Sequence, residues 1–481
     1  MAHDYKKLGL KAGLEIHQQL DTTKLFCSCP SRLRDNNPDT FVKRKLRPVA
    51  SELGKIDVAA AFERSKERTF IYEFYDDTTC LVELDEEPPQ LLDKEALKIA
   101  LQVSLMFNAK PVDEIQVMRK TIIDGSNTSG FQRTALIARN GYIETSFGKV
   151  GIEQVCLEED SARRVAESKN SVTFRLDRLG IPLVEITTAP DIKSAEQAKE
   201  AAEHIGMILR STGKVRRGIG TIRQDVNLSI KGGQRVELKG FQDIRSMPKV
   251  IEKEVERQLR LLSQKKRVEN EVRKVNPDNT TTFLRPMPGA ARMYPETDIR
   301  PVKPDLKGIV LPKLISEELA ELEKRYKVGK DKIKLLKKED VFGENRLFLF
   351  EELVKNNKNV KPAFICETLL SYPRKILRKH KGADPFKIKK EDLSRMFEKL
   401  NENKIPKDAV FEILLEVAKG KKPNYSKYKA ASTGDVEKEI KKLVEEKPDV
   451  NIGGLMGLVM AKFKGKVDGK TAMEILRKYK K

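Results

Sequence analysis

Asp225-Val226-Asn227-Leu228-Ser229-Ile230, then Lys231-Gly232-Gly233-Gln234, then Arg235-Val236-Glu237-Leu238-Lys239 reads as two strands joined by a turn. Period-two alternation sets Val226, Leu228 and Ile230 on one face, with Val236 and Leu238 beside them. The other face carries Asp225, Asn227 and Ser229 from one strand and Arg235, Glu237 and Lys239 from the next. Gly232-Gly233 suits a tight primed turn, and a one-residue slip in register would reverse both faces. Oxygen ligands suited to a hard cation thus stand beside cations suited to phosphate. Such a face is either a solvated hairpin surface or a catalytic one.

Composition narrows the setting. The 481 residues suffice for two to four domains, and the formal net charge of +22 comes from 94 Lys plus Arg against 72 Asp plus Glu. A surplus of that size points to a polyanionic partner, nucleic acid first, with a generally basic proteome as the bland alternative. No apolar run reaches the ~18 residues of a membrane span, and Met1-Ala2-His3-Asp4-Tyr5 opens no signal peptide. A cytoplasmic protein without membrane association is expected. The five cysteines, Cys27, Cys29, Cys80, Cys156 and Cys366, are scattered, so no disulfide framework is expected. Cys27-Ser28-Cys29 is half of a zinc pattern, but no second close pair follows, and buried structural thiols are the expectation.

Texture divides the chain. Residues 8–300 mix alternating segments with a few helices, one from Lys94 to Phe107 behind Asp93. Another starts at Ser194 with Gln197 as a capping box and stops at Gly213. Beyond Pro301 the sequence turns Lys-rich and helical, with Ser316 as the expected N-cap of a helix to Tyr326 and another helix over 390–399. Texture thus predicts strands mixed with helices up to about residue 300 and helices beyond it.

Four further constellations carry polar chemistry. In Gly13-Leu14-Glu15-Ile16-His17-Gln18-Gln19 alternation puts Glu15, His17 and Gln19 on one strand face, good metal-ligand spacing. Leu157-Glu158-Glu159-Asp160 closes an apolar run, and Glu185 interrupts Pro182-Leu183-Val184-Glu185-Ile186, where a carboxylate must be paired, protonated or bound to a cation. Asp124-Gly125-Ser126-Asn127-Thr128-Ser129-Gly130 is either a backbone nest for phosphate or a polar surface loop, and it lacks Walker A spacing. Arg285-Pro286-Met287-Pro288-Gly289 leads into Arg292-Met293-Tyr294-Pro295-Glu296-Thr297-Asp298, a rigid loop with two carboxylates.

In this order the segments resemble the B/E subunits of tRNA-dependent amidotransferases (GatB/GatE). The stretches Thr78-Thr79-Cys80-Leu81-Val82-Glu83-Leu84-Asp85-Glu86-Glu87-Pro88-Pro89, 124–134 and 288–298 resemble the archaeal E branch in particular. The resemblance spans nearly the whole chain and departs twice. The E branch carries an inserted domain before the Arg-Met-Tyr-Pro-Glu motif, for which 261–280 leaves no room. The B subunits pair an early C-x-C with a C-x-x-C that is lacking here, so zinc is not expected.

The resemblance implies an α+β fold: an antiparallel-sheet cradle domain over 1–300, a helical domain over 301–407 and a small helical tail over 408–481 that binds tRNA. It also implies a reaction in which glutamate esterified to tRNA(Gln) is phosphorylated by ATP and then amidated by ammonia. An asparaginase-like (GatD-type) partner, in a heterotetramer, would release the ammonia, since the chain shows no Cys or Ser amidase constellation of its own. His17, Glu158 and Glu185 match the family's Mg2+ ligands, with Glu15 as the fourth member of this catalytic set and Mn2+ as an alternative metal. Arg223, Asp225, Asn227, Ser229, Glu237 and Lys239 would hold ATP phosphates and a second Mg2+, with Ser126 and Asn127 bordering the ATP or acceptor-end pocket. Rival readings are a B subunit working with A and C partners, a tRNA-binding protein without catalysis, and a small-substrate phosphohydrolase.

Overall fold

The computed structural model describes residues 4–48, 54, 56–241, 243–289, 293–337, 345–429, 433–463, 467 and 469–480. They pack as two units, Met1–Ile315 and Ser316–Lys481. The first unit holds the strands β1 (Lys11–Gln19), β2 (Thr40–Arg44), β3 (Thr69–Phe74), β4 (Lys110–Pro111), β5 (Val117–Thr121), β6 (Phe131–Thr145), β7 (Gly148–Glu159) and β8 (Arg163–Glu167). They are followed by β9 (Ser171–Arg175), β10 (Pro182–Thr188), β11 (Ile222–Ser229), β12 (Val236–Lys239), β13 (Glu271–Val275), β14 (Thr281–Pro286) and β15 (Met293–Pro295). Its helices are α1 (Tyr5–Leu8), α2 (Val58–Arg64), α3 (Lys94–Met106), α4 (Ala195–Ser211) and α5 (Met247–Ser263). The main sheet runs β14-β13-β12-β11-β1-β10-β7-β6-β5-β15, with β4 beside β6, and a four-stranded sheet runs β2-β3-β9-β8. Pairing is antiparallel except at β12–β13 and β3–β9. The β12–β13 step is parallel because α5 supplies the crossover such a step requires.

Alternation gives the main sheet two unlike faces. Leu14, Ile16, Leu157, Val184, Ile186, Val226, Leu228, Val236 and Leu238 point to one side and are at most 1% exposed. That side packs against Ala198, Ala201, Ala202 and Ile205 of α4 and Val250, Ile251 and Val255 of α5 in one apolar cluster. Asp93 caps α3 by accepting the Ala96 N–H at 2.7 Å. Ser194 caps α4 from the Gln197 N–H at 3.1 Å, while Gln197 reaches back one residue further than a capping box would, to the Lys193 N–H at 2.8 Å. The other side of the sheet, left without helices from this cluster, carries the polar residues described below.

The 225–239 hairpin forms with the expected faces but not through a two-residue Gly-Gly turn. Val226 opposes Leu238 and Leu228 opposes Val236, a register that closes with Lys231, Gly232 and Gly233 together in the bend. A two-residue loop would have placed Val226 opposite Lys239 and mixed the faces. Gly232 takes φ +85°, and the Gly233 N–H returns to Ile230 O at 3.0 Å.

The second unit is helical: α6 (Ile315–Tyr326), α7 (Lys330–Leu336), α8 (Arg346–Asn356), α9 (Pro362–Lys379), α10 (Lys390–Asn401), α11 (Ala409–Ala418), α12 (Thr433–Glu446), α13 (Ile452–Lys462) and α14 (Gly469–Tyr479). Ser316 lies inside α6 rather than at its N-cap, because the helix already includes Ile315. One apolar cluster extends from Leu322 to Tyr428 and includes α11; a separate one runs from Val436 to Leu476. Among the described residues, no helix is long and apolar enough to cross a membrane.

Candidate active site

The polar face gathers side chains from β1, β5, β6, β7, β10, β11 and β12. On β1, Glu15 and His17 alternate with the core residues Leu14 and Ile16. His17 stands opposite Glu185 of β10 and Arg223 of β11, and Glu15 opposite Asp225. His17 Nε2 lies 3.2 Å from Glu185 Oε2, 3.5 Å from Glu15 Oε1 and 4.0 Å from Glu158 Oε2. Lys120 of β5 reaches Glu158 Oε1 at 2.5 Å and Glu185 Oε2 at 3.5 Å. Thr134 Oγ1 and Gln132 Nε2, both on β6, donate to Glu158 at 2.8 and 3.1 Å. Beyond Glu15, Lys239 Nζ bridges Asp225 Oδ2 at 2.6 Å and Glu237 Oε1 at 2.5 Å.

Charge balance defines what this face attracts. Glu15, Glu158, Glu185, Asp225 and Glu237 outnumber the two ammonium groups, Lys120 and Lys239. Burial, then the charge of Glu185, pushes Glu15 up to about 7. Burial would raise Glu185 as well, but Lys120 and the His17 hydrogen bond outweigh it and hold that carboxyl well below its usual range. Burial would lower His17, yet the Glu185 bond and the surrounding carboxylates win and raise it. Lys239 is likewise held charged, by Asp225 and then Glu237, against the cost of burial. Glu15–His17–Glu185 and Glu15–Asp225–Glu237 each bring one ligand atom per residue within 4.8 Å of the others. This donor set fits divalent cations: mostly carboxylate oxygen, as Mg2+ prefers, with one imidazole that also suits Mn2+.

The other residues singled out in the sequence divide. Arg223 bonds Asp160 Oδ1 at 3.0 Å, and Gln19 donates to Asp160 Oδ2 at 2.7 Å, extending the polar face past His17. Asn227 and Ser229 are half-buried farther along β11, opposite Gly13 and Lys11. The Ser126 loop is neither open nor a free nest. Ser126 N–H and Oγ both donate to Asp124, and Thr128 Oγ1 donates to Glu83 O at 2.6 Å. A Cβ on Gly125 would overlap the Phe70 ring, so only glycine fits there. Asn127, 1% exposed and with Nδ2 unpartnered, lines a small cavity of about 10 Å³, room for a single water, with Phe26, Glu83, Arg133 and Glu159. None of the hydrogen bonds described for this loop reaches Glu15, His17 or Glu185.

Sequence reasoning missed Lys120, Gln132 and Thr134. The alternation of Gln132 and Thr134 was a usable signal; Lys120 had none, since its partners lie 38 and 65 residues on. It also took 285–298 for a rigid loop. Met293–Pro295 is instead an edge strand on β5, and Glu296, 1% exposed, accepts from Arg119 Nε and Arg133 Nε, each at 2.9 Å. Ala290, Ala291 and Arg292 of that motif lie outside the described residues.

Residues 10–309 match the GatB/GatE catalytic domain and residues 348–479 the GatB domain. The chain belongs to the GatB/GatE family. It is 39% identical to the E subunit of the glutamyl-tRNA(Gln) amidotransferase of Methanocaldococcus jannaschii, over 99% of both chains. It is 37% identical to that of Thermococcus sibiricus and 36% to that of Methanosarcina barkeri, over 99% of this chain and 98% of each relative. The aligned stretches are 630 to 632 residues long against 481 here, so the relatives carry roughly 150 internal residues without a counterpart. In this chain only residues 264–270 join α5 to β13.

Proposed function

We propose that this chain is the E-type subunit of a tRNA-dependent amidotransferase, converting glutamate on tRNA(Gln) to glutamine with ATP and ammonia. The observation that carries this reading is the His17–Glu185–Lys120–Glu158 cluster joined through Glu15 to Asp225 and Glu237. ATP phosphorylates the glutamyl carboxylate: an O–P bond forms to the side chain and the bond to the ADP leaving group breaks. Ammonia then attacks the carbonyl carbon, phosphate leaves, and a proton is lost to give the amide. Phosphoryl transfer of this kind depends on charge neutralisation and positioning more than on covalent participation by the protein.

In this scheme His17, Glu158 and Glu185, with Glu15, would hold one divalent cation, and Glu15, Asp225 and Glu237 would hold a second; such cations would supply charge neutralisation for the phosphoryl oxygens. Lys239 turns from its two carboxylates toward the ATP phosphates, and Lys120 keeps Glu185 ionised and holds Glu158 and Glu185 correctly aimed. Arg223, Asn227 and Ser229 continue the polar floor on which the nucleotide lies. Ser126 acts only through Asp124, as the lock of the loop that positions Asn127. A partner of the asparaginase type supplies ammonia, and the Lys-rich helical unit meets the tRNA phosphates. The relatives of the E branch favour this partner over the A and C partners of a B subunit, and buried carboxylates around His17 favour catalysis over a binding module. The test is conversion of Glu-tRNA(Gln) to Gln-tRNA(Gln) with ATP, Mg2+ and an ammonium salt. ATP turnover that ignores Glu-tRNA(Gln) would overturn the reading.

A further inference from the structure

The chain between α4 and β11 forms a loop at residues 216–221 whose two ends are pinned. Gln18, 2% exposed on β1, donates through Nε2 to Arg216 O at 3.0 Å and to Thr221 O at 3.1 Å. The Arg216 N–H donates to Gln19 O at 3.0 Å and the Gln19 N–H to Thr221 O at 2.9 Å. Thr221 Oγ1 closes the bend on Gly218 O at 2.9 Å. At the tip, Gly218 and Gly220 take φ +126° and +81°, a backbone that side chains rarely adopt. Between them Ile219 is fully exposed, more so than any other large apolar side chain described. Single exposed apolar residues are ordinary on a protein surface. One set clear of all neighbours on a pinned loop serves no packing.

The surroundings of that tip are cationic. Residues 210–223 contain Arg210, Lys214, Arg216, Arg217 and Arg223 and no Asp or Glu. Lys214 pairs with Glu95 and Arg223 with Asp160. Arg216 Nη1 donates to a carbonyl, Ser31 O, and among the described residues no carboxylate lies within 4.0 Å of the Arg210, Arg216 or Arg217 guanidinium. Burial, then the nearby charge of Arg217, lowers Arg210, so these two guanidinium groups repel each other with no acid between them. Loop and acidic cluster are neighbours through the sheet register: β11 resumes at Ile222, and Arg223 stands opposite His17. At about 3.3 Å per residue, the loop ends at Thr221 roughly 7 Å along the strand from Arg223.

We propose that Ile219 is an apolar platform for one unpaired base of the 3′ strand of the aminoacylated RNA, with Arg216 and Arg217 holding the phosphates that flank it. The identity of that RNA rests on the function proposed above. The aminoacyl ester sits at the end of a short unpaired strand, which must be steered for its glutamyl group to reach the His17 cluster. Every base has an apolar face, so an aliphatic side chain covers it without reading its edge, while cations beside it meet the backbone. Covering Ile219 in this way removes its apolar surface from water, a gain the free chain does not make. Pinning by Gln18 lowers the ordering cost of binding, because the tip is set before the strand arrives. Ile219 touches no reacting atom and is a positioning residue.

The experiment uses the full chain and two probes: an RNA duplex matching the acceptor arm of tRNA(Gln) with 2-aminopurine in its unpaired 3′ strand, and the same duplex without the overhang. Ile219→Ala should weaken binding of the overhang duplex by on the order of tenfold and leave the blunt duplex unaffected. The 2-aminopurine fluorescence change on binding should be lost in Ile219→Ala and kept in Ile219→Phe. Arg217→Gln should flatten the salt dependence by roughly 0.7 in the log–log slope, which Ile219→Ala leaves alone. In turnover, Ile219→Ala should raise the KM for Glu-tRNA(Gln) while the KM for ATP and the melting temperature stay unchanged. Phe147→Ala, another exposed apolar residue but at the β6–β7 turn, should move none of these readouts. An Ile219→Ala chain that binds both duplexes as the unaltered chain does, or that weakens both equally, overturns the proposal. Binding is read without chemistry, so overhang binding that depends on Ile219 in a chain that converts no Glu-tRNA(Gln) upholds the platform and overturns the function instead.

Discussion

His17 and Glu185 stand directly opposite each other on β1 and β10, with Nε2 and Oε2 3.2 Å apart. The pair is fixed by backbone pairing rather than by loop conformation, so it is set once the sheet register is set. Both residues interrupt strands whose alternate side chains, Leu14, Ile16, Val184 and Ile186, lie in the core. The arrangement holds a carboxylate ionised in a buried position, which is what a cation site needs before the cation arrives.

Lys239 is the cation that Asp225 and Glu237 hold while no other is present. Lys239→Ala should weaken ATP use and leave tRNA binding largely intact. It also strands two buried carboxylates, so the melting temperature should drop and Mg2+ or Mn2+ should restore much of the loss. Thermal melts with and without the divalent ion, alongside ATP and tRNA affinities, check this. Lost tRNA affinity with unchanged ATP affinity would contradict the assignment.

Glu15 gives the site its pH dependence. Its carboxyl is raised from 4.5 to about 7, so the folded chain keeps a proton that the unfolded chain has released in that window. This contribution to stability is full below about pH 4.5 and is lost as the pH climbs through about 7. Cation binding must expel the same proton, so divalent affinity should rise with pH from about 6 to 8. Calorimetric titration with Mn2+ across that range measures it, and Glu15→Gln should flatten the profile as well as weaken binding.

Val236 tests the other side of the hairpin. It is 0% exposed, packed in the core beneath the polar face. Val236→Thr buries a hydroxyl there and should cost about 1–3 kcal/mol of stability with little change in ATP affinity. Chemical denaturation of the two proteins decides; an ATP defect at full stability would mean that the faces are reversed.

The Lys-rich helical unit should carry most of the tRNA affinity. A cut after Lys407 would remove α11 and open the first helical cluster, so the informative truncation removes 430–481, after Tyr428 ends that cluster. The loss includes Lys462, Arg477, Lys478 and Lys480, as well as Lys464, Lys466 and Lys481, which lie outside the described residues. Each lost phosphate contact should flatten the salt dependence of tRNA binding by roughly 0.7 to 0.9 in the log–log slope. Equal slopes for full-length and truncated protein would move recognition to the first unit or to a partner.

Much of this was legible in the sequence because it rests on period two. Glu15, His17, Asp225 and Glu237 occupy the polar positions of alternating strands, Glu185 interrupts an apolar run, and the sheet brings the strands together with those faces aligned. What stayed hidden was pairing between distant segments. Lys120 meets Glu158 and Glu185 only because β5 and β10 flank β6 and β7. Cys80 and Glu83 join Cys27 and Cys29 only through loop packing, which leaves no local periodicity to read. The Ser126 loop read by composition as either a phosphate nest or a polar surface loop; in the fold the Ser126 and Thr128 donors go to Asp124 and Glu83.

The most direct test of the central claim is transfer of labelled γ-phosphate from ATP to Glu-tRNA(Gln), with ammonia withheld, comparing the unaltered chain with Glu185→Gln. The unaltered protein should accumulate label on the aminoacylated end. Glu185→Gln, folded as judged by circular dichroism, should transfer it on the order of 10²-fold more slowly. Near-equal rates would make Glu185 a structural residue and move the phosphoryl-transfer centre away from the His17 cluster.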